Sequence, residues 1–156
     1  MLAIFLIQPN RTVTAKFKDA IVDVSISITD KHTTGSSWYF SESYLRRTIT
    51  VTNNLTVELK VKAECEDLQY DSQTGGYSYE YRTYNDFYYQ NGVNNEVKVH
   101  EDEGGMQNEK IYNMSEKEFT LTVNGVVVYS NEPFPMNGKQ KTINGIKYII
   151  QHSNTY

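Results

Sequence analysis

Apolar and polar residues alternate with a period of two along much of the chain, and this alternation predicts half-buried β-strands. It is clearest in residues 21–29 and 55–64, where an apolar residue occupies nearly every second position. Weaker alternation in residues 12–17 and 46–52 predicts two more strands. Residues 1–8 are almost continuously apolar and end before a proline, which predicts a buried first strand.

Asn-Gly pairs in the C-terminal third are the clearest turn signals in the sequence. An Asn-Gly pair between two alternating segments predicts a β-hairpin with a two-residue type I′ turn. At residues 124–125 this turn pairs Val123 with Val126, and the next same-face pair is Leu121 with Val128. We expect this register because it puts the apolar residues of both strands on one face. A second Asn-Gly pair nearer the C-terminus predicts another hairpin.

Two connections in the N-terminal half lack an Asn-Gly signal. Between the strands at 46–52 and 55–64, a three-residue turn brings the apolar faces into register. We expect Asn54 near the left-handed backbone region in that turn. Residues 30–43 break the alternation and are rich in Thr, Ser and Gly, which predicts an exposed loop. A single helical turn is expected at residues 41–45.

The whole pattern predicts one all-β domain that covers residues 1–156. About ten short strands with frequent turn signals are typical of an antiparallel β-sandwich, of jelly-roll or immunoglobulin-like type. A partly closed barrel is the alternative, and at most one short helix is expected. Val, Ile and Thr are abundant and 13 tyrosines occur, which suits a pleated, half-buried surface. A chain of 156 residues can bury roughly 70% of its unfolded surface and needs no disulfide or metal for stability.

Charge and hydropathy exclude several classes of protein. The chain has 15 basic and 19 acidic residues and a net charge of −4, which excludes a strongly basic nucleic-acid binder. No apolar run is long enough for a membrane-spanning helix. No basic residue precedes the N-terminal apolar run and no cleavage motif follows it, so we expect no signal peptide. We therefore expect synthesis in the cytoplasm, while the final location stays open, with a virion as one alternative.

Candidate catalytic and metal-binding residues are scarce. The single cysteine, Cys65, excludes a disulfide framework, and a packed thiol is its simplest interpretation. A catalytic cysteine needs a base beside it, but His32, His100 and His152 are far apart in the sequence. Four acidic residues could bind calcium, although a solvated loop is the simpler interpretation: Glu96, Glu101, Asp102 and Glu103. We therefore expect no enzyme activity, no cofactor and no metal site.

Tyrosines are the most distinctive feature of the chain. Alternating tyrosines in residues 77–81 share one strand face, and an aromatic triplet occupies residues 38–40. Such rows form the rim of a core, anchor a protein interface or stack on sugar rings. The candidate binding residues, for either a protein interface or a glycan, are Trp38, Tyr39, Tyr77, Tyr79, Tyr81 and Tyr88.

These features favour a non-enzymatic structural or assembly protein. An all-β, cysteine-poor chain rich in Asn, Thr and Tyr has the general texture of a virion or phage-particle component. Its partners would be further copies of itself or neighbouring particle subunits, bound through β-edge pairing and aromatic anchoring. The alternative is a glycan-binding β-sandwich module. A second alternative is a small β-fold inhibitor that binds another protein through an acidic or aromatic patch.

Overall fold

The computed structural model describes residues 22–36, 41–71, 73–102 and 113–156, and it gives the backbone alone for residues 36, 67–71, 77–81 and 102. Nine strands lie within these ranges. They are β1 (Val22–Ser36), β2 (Ser41–Val51), β3 (Val57–Asp71), β4 (Gly76–Gln90), β5 (Asn95–Asp102), β6 (Ser115–Val123), β7 (Val126–Pro133), β8 (Gln140–Ile143) and β9 (Ile146–Thr155). The helical segment in these ranges is a 3-10 turn at Thr52–Asn54.

The strands form two sheets. Sheet A has five strands in the order β5-β2-β1-β9-β8, and sheet B has four in the order β4-β3-β6-β7. Every described pair is antiparallel except β1 with β9, which is parallel. β1 and β9 are far apart in the chain and are not joined by a tight turn, so they can pair either parallel or antiparallel. The predicted all-β sandwich is therefore confirmed.

The apolar core lies between the two sheets and is built mainly from alternate residues of their longer strands. Ile26 and Ile28 of sheet A and Leu59 and Val61 of sheet B are at most 1% exposed. Val22 begins the same row of β1 but is exposed, so the core starts at the next apolar residue of that row. This burial is what fixes the strand register, since a slip of one residue would expose the whole row.

The two Asn-Gly hairpins form as the sequence predicts. Val123 pairs with Val126, and Ile143 pairs with Ile146. The expected pair of Leu121 with Val128 is wrong, because a β-bulge shifts the register and sets Leu121 opposite Tyr129. Val128 and Tyr129 are consecutive and both buried, which a regular strand does not allow and a bulge does.

The prediction of a hairpin at Asn53 and Asn54 is wrong, although the left-handed backbone predicted for Asn54 is confirmed. Asn54 has a φ of 52° and Asn53 a φ of 57°, so both adopt the left-handed conformation. The strands that they join belong to different layers, since β2 lies in sheet A and β3 in sheet B. Alternation cannot separate these cases, because two strands facing one core from opposite sides show the same pattern as two paired strands.

Residues 30–43 are not a loop as a whole, and residues 41–45 do not form a helical turn. β1 continues to Ser36, β2 begins at Ser41, and residues 30–36 pair with residues 41–47. The apolar alternation ends at Asp30 because the core ends there, while the backbone ladder continues. Polar side chains on both faces of a strand leave no periodic signal, so the sequence resembled a loop.

β3 and β4 continue as a two-stranded ribbon beyond the rest of sheet B. β6 pairs with β3 only as far as Glu64, whereas β3 and β4 stay paired to Asp71 and Gly76. Three predicted binding residues have their backbone in this ribbon, with side chains outside the description: Tyr77, Tyr79 and Tyr81. Outside the described residues lie Trp38, Tyr39 and the strands predicted at residues 1–8 and 12–17.

Candidate functional site

The outward face of β4 carries a row of exposed side chains. Alternate residues of a strand point to the same face, and this row consists of Arg82, Tyr84, Asp86 and Tyr88, which we call the β4 outer row. Among the described residues, β4 pairs with β3 on one side only. The row therefore lies along an edge of sheet B.

The tyrosines of the β4 outer row are exposed to an unusual degree. Tyr84 is 62% exposed and Tyr88 is 71% exposed, whereas the next residue, Tyr89, points into the core and is 1% exposed. Tyr84 is tied to β3, because a hydrogen bond with Glu64 raises the pKa of its hydroxyl. Tyr88 was a candidate binding residue in the sequence, and its ring is available at the surface.

The two charged residues of the β4 outer row, Arg82 and Asp86, differ in their ion pairing. Arg82 forms ion pairs with Glu64 at 3.2 Å and with Glu66 at 2.9 Å, and its side chain remains 59% exposed. Asp86 is exposed and lies opposite Lys62 in the β3–β4 ladder. Within the described ranges no ion pair to Asp86 is formed. The edge thus presents a basic and an acidic group four residues apart.

A shallow groove of about 220 Å³ lies beside Tyr88 on sheet B. Polar residues of three neighbouring strands surround the aromatic ring. The lining residues are Glu58, Leu59, Lys60, Tyr88, Tyr89, Gln90, Thr120 and Thr122. A flat ring beside hydrogen-bonding groups can stack on an apolar sugar face while its neighbours bind hydroxyl groups.

A larger cleft of about 550 Å³ opens where β4 and β5 separate. The two strands are held together at their turn by Asn95, whose side-chain amide donates to the carbonyl of Gln90 at 2.6 Å. Beyond that point Lys98 lies between Glu42 and Glu101, and the hydrogen bond with Glu101 raises its pKa. The cleft is lined by Cys65, Asn85, Asp86, Phe87, Lys98, Glu101 and Met114.

Cys65 contributes to this cleft without a catalytic partner among the described contacts. Its side chain is only 4% exposed. Each histidine is engaged elsewhere: His32 bonds Asn154 at 3.0 Å and His100 bonds Asn113 at 3.2 Å. The third histidine, His152, bonds a buried aspartate. The packed-thiol interpretation of this cysteine agrees with its burial.

A buried ionic cluster, which sequence reasoning missed, joins the two sheets. Arg47 of sheet A donates two hydrogen bonds to Asp30, at 2.8 and 2.7 Å. It donates two more to Glu116 of sheet B, at 2.8 and 3.0 Å. His152 donates to Asp30 across 2.5 Å, and the Arg47 guanidinium also stacks on the Tyr89 ring at 4.6 Å. We call Asp30, Arg47, Glu116 and His152 the inter-sheet cluster.

Burial and hydrogen bonding act in opposite directions on the charges of the inter-sheet cluster. Burial alone would raise the pKa of Asp30, but hydrogen bonds from Arg47 and His152 outweigh it and lower the pKa to about 2. Burial would lower the pKa of Arg47, and the hydrogen bonds to Asp30 and Glu116 raise it instead. Both groups are therefore charged at neutral pH, with each charge compensated by the other.

The signal for the inter-sheet cluster was present in the sequence. Asp30 continues the apolar row that runs through Ile26 and Ile28, and Arg47 interrupts the row of Leu45 and Ile49. Two opposite charges on inward positions of adjacent strands indicate a buried pair. The position of Glu116 carried no comparable signal, because its partner belongs to the other sheet. The cluster fastens the layers where the apolar core ends, and neither cavity described above includes its residues.

Comparison with protein-family models, with curated proteins and with solved structures finds no match to this chain. In the ranges that the structure describes, no helix is long and apolar enough to cross a membrane. Nor do three His, Cys, Asp or Glu side chains of those ranges converge to hold a metal ion. The functional argument therefore rests on the surfaces described above.

Proposed function

We propose that this protein is a non-enzymatic assembly protein that binds protein partners through the edge of β4 and its exposed tyrosines. The observation that carries the proposal is the β4 outer row. It places Tyr84 and Tyr88, 62% and 71% exposed, along a strand of 15 residues that has a described neighbour on one side only. Tyrosine is enriched at protein interfaces because it provides a large contact area and a hydroxyl at little cost in side-chain entropy.

The composition of β4 supports edge pairing. An exposed edge offers unpaired backbone N–H and C=O groups to another strand. Proteins that avoid such pairing shorten the edge strand or place proline and lysine on it. β4 contains neither proline nor lysine and is 15 residues long. These features favour a strand that acquires a neighbour in an assembly.

The particle setting is supported by composition alone. A chain with one cysteine and 13 tyrosines, and with abundant Asn and Thr, suits a virion or phage-particle component that contacts neighbouring subunits. The partners in this proposal are further copies of the chain or other subunits of such a particle.

Light scattering coupled to size-exclusion chromatography tests the proposal over a hundredfold concentration range. We expect a mass that rises above the 18.0 kDa of one chain. The double variant Tyr84→Ser/Tyr88→Ser should lower that mass. Tyr156→Ser is the matched control, because it removes another exposed tyrosine from a different part of the surface. A mass of one chain at every concentration, or equal behaviour of both variants, would contradict the proposal.

Glycan binding is the second candidate, and the groove beside Tyr88 is the observation that favours it. An aromatic ring next to Lys60 and Gln90 offers both stacking and hydrogen bonding to a sugar. Titration with soluble oligosaccharides, followed by NMR shifts of the protein, tests this function. Binding that is lost in Tyr88→Ala and kept in Tyr156→Ala would establish it. An inhibitor that binds through the acidic segment 101–105 stays a prediction, since β5 ends at Asp102 and residues 103–105 lie outside the described ranges.

A further inference from the structure

We infer that the partner of the β4 edge is a second copy of the same chain, paired antiparallel about a two-fold axis through Tyr84. This inference rests on the proposed function and names its partner. In an antiparallel pair of identical strands, each residue faces the one at equal distance on the other side of the axis. An axis at Tyr84 therefore sets Arg82 of each copy opposite Asp86 of the other.

Charge complementarity selects this register. Opposite charges that face each other across two strands stabilise the pair, and like charges destabilise it. The axis at Tyr84 produces two Arg82–Asp86 contacts and places the two Tyr84 residues side by side. An axis at Thr83 instead sets Asp86 opposite Glu80, which are like charges. An axis at Asn85 sets Arg82 opposite Tyr88 and leaves the charges without partners across the interface.

The groups that this register uses are accessible in a single chain. The Arg82 side chain is 59% exposed even with its contacts to Glu64 and Glu66, and Asp86 forms no ion pair among the described residues. Asn85, Asp86 and the neighbouring phenylalanine also line the cleft between β4 and β5. Among the described residues, the edge therefore borders a cleft at residues 85–87, within the part that the second copy would occupy.

Disulfide trapping tests the position of the axis. Tyr84→Cys is introduced into a Cys65→Ala background, so that the new thiol is the only one in the chain. Residues directly opposite each other have Cβ atoms about 4.5–5.5 Å apart, close enough for a disulfide after a small adjustment. Tyr88→Cys is the matched control. It lies eight residues from its own copy across this interface, or about 27 Å at about 3.4 Å per residue.

We expect mild oxidation to convert Tyr84→Cys into a covalent dimer on a non-reducing gel, with little dimer from Tyr88→Cys. A second variant guards against misfolding of the first. Asp86→Lys turns both interface pairs into like-charge contacts and should weaken dimerisation by about tenfold or more. Gln90→Lys makes a charge change on the same face at a position that meets no charge in this register, and it should leave the dimer intact.

The outcomes separate this inference from the proposed function. Trapping at residue 84 together with weakening by Asp86→Lys supports the two-fold pairing. An oligomer that depends on the β4 tyrosines, but is neither trapped at residue 84 nor weakened by Asp86→Lys, would overturn the inference and leave the assembly function standing. A chain that stays monomeric in every variant would overturn both.

Discussion

Removing the charge of Asp30 should destabilise the fold, because this carboxylate is the centre of the inter-sheet cluster. Asp30→Asn keeps the shape of the side chain but leaves the buried Arg47 guanidinium with one carboxylate, Glu116, in place of two. Breaking a buried ion pair costs about 3–5 kcal/mol. We expect Asp30→Asn to lower the free energy of unfolding by about 3 kcal/mol, the lower end of that range, since Glu116 still pairs with Arg47.

The pKa of Asp30 gives a second measure of the same interaction. A fall from 3.8 to about 2 corresponds to about 2.5 kcal/mol of stabilisation, at about 1.36 kcal/mol per pKa unit. Because the folded-state pKa is the lower one, this contribution is fully present above about pH 4. It is lost as the pH falls towards 2, where the folded protein also binds the proton. The two magnitudes, about 3 kcal/mol from the broken ion pair and about 2.5 kcal/mol from the pKa, agree.

Urea denaturation followed by circular dichroism measures the loss at pH 7 and at pH 3. Glu96→Gln is the matched control, since it removes one carboxylate from an exposed pair with Arg46, whose side chains are 38% and 54% exposed. Such a pair contributes about 0.2–1 kcal/mol. We expect Asp30→Asn to be less stable than this control by about 2 kcal/mol at pH 7, with the gap narrowing at low pH. Equal stability of the two variants at pH 7 would refute the assigned role of the cluster.

Three further predictions concern single positions. Gly125→Ala should lower the free energy of unfolding by about 1–2 kcal/mol, because Gly125 has a φ of 80°. Gly35→Ala should change it by less than about 0.5 kcal/mol, since no atom lies within 4 Å of the added Cβ. Equal urea midpoints of the two variants would contradict this prediction. Tyr89→Phe should leave the free energy of unfolding unchanged or raise it by about 1 kcal/mol, because no described group bonds the buried hydroxyl; a clear loss would reveal an unseen partner. Cys65 should react with an aromatic disulfide reagent much more slowly in the folded protein than in urea, because it is 4% exposed; equal rates would mean that the cleft opens readily.

The sequence was sufficient for the fold wherever one face of a strand is apolar. Alternation located the core rows of β1 and β3, and the Asn-Gly pairs located two hairpins with their closing pairs Val123–Val126 and Ile143–Ile146. These are local signals that depend on few residues. The layer to which β3 belongs could not be predicted, because pairing between distant segments leaves no mark in a single sequence.

The candidate surface was predicted less well. Tyr88 was named as a candidate from the sequence, but Tyr84, which is also exposed, was not. The expected row at residues 77–81 lies on the ribbon whose side chains are not described, so its exposure stays a prediction. Alternation with a period of two identifies which residues share a face of a strand, but not which of the two faces is exposed to solvent. That distinction depends on what the second sheet covers.

The position of the inter-sheet cluster connects the stability of the fold to its proposed use. The apolar core cluster ends at the level of Asp30. Beyond it, residues 31–35 of β1 carry no apolar side chain, and β3 and β4 continue as a paired ladder. Apolar burial at that end is limited to a few residues such as Leu45 and Cys65, and Arg47 spans the two layers there with four hydrogen bonds. Strands fixed in this way can extend past the core as an ordered ladder. The β4 edge is then presented in a defined geometry, which lowers the entropy lost when another strand pairs with it.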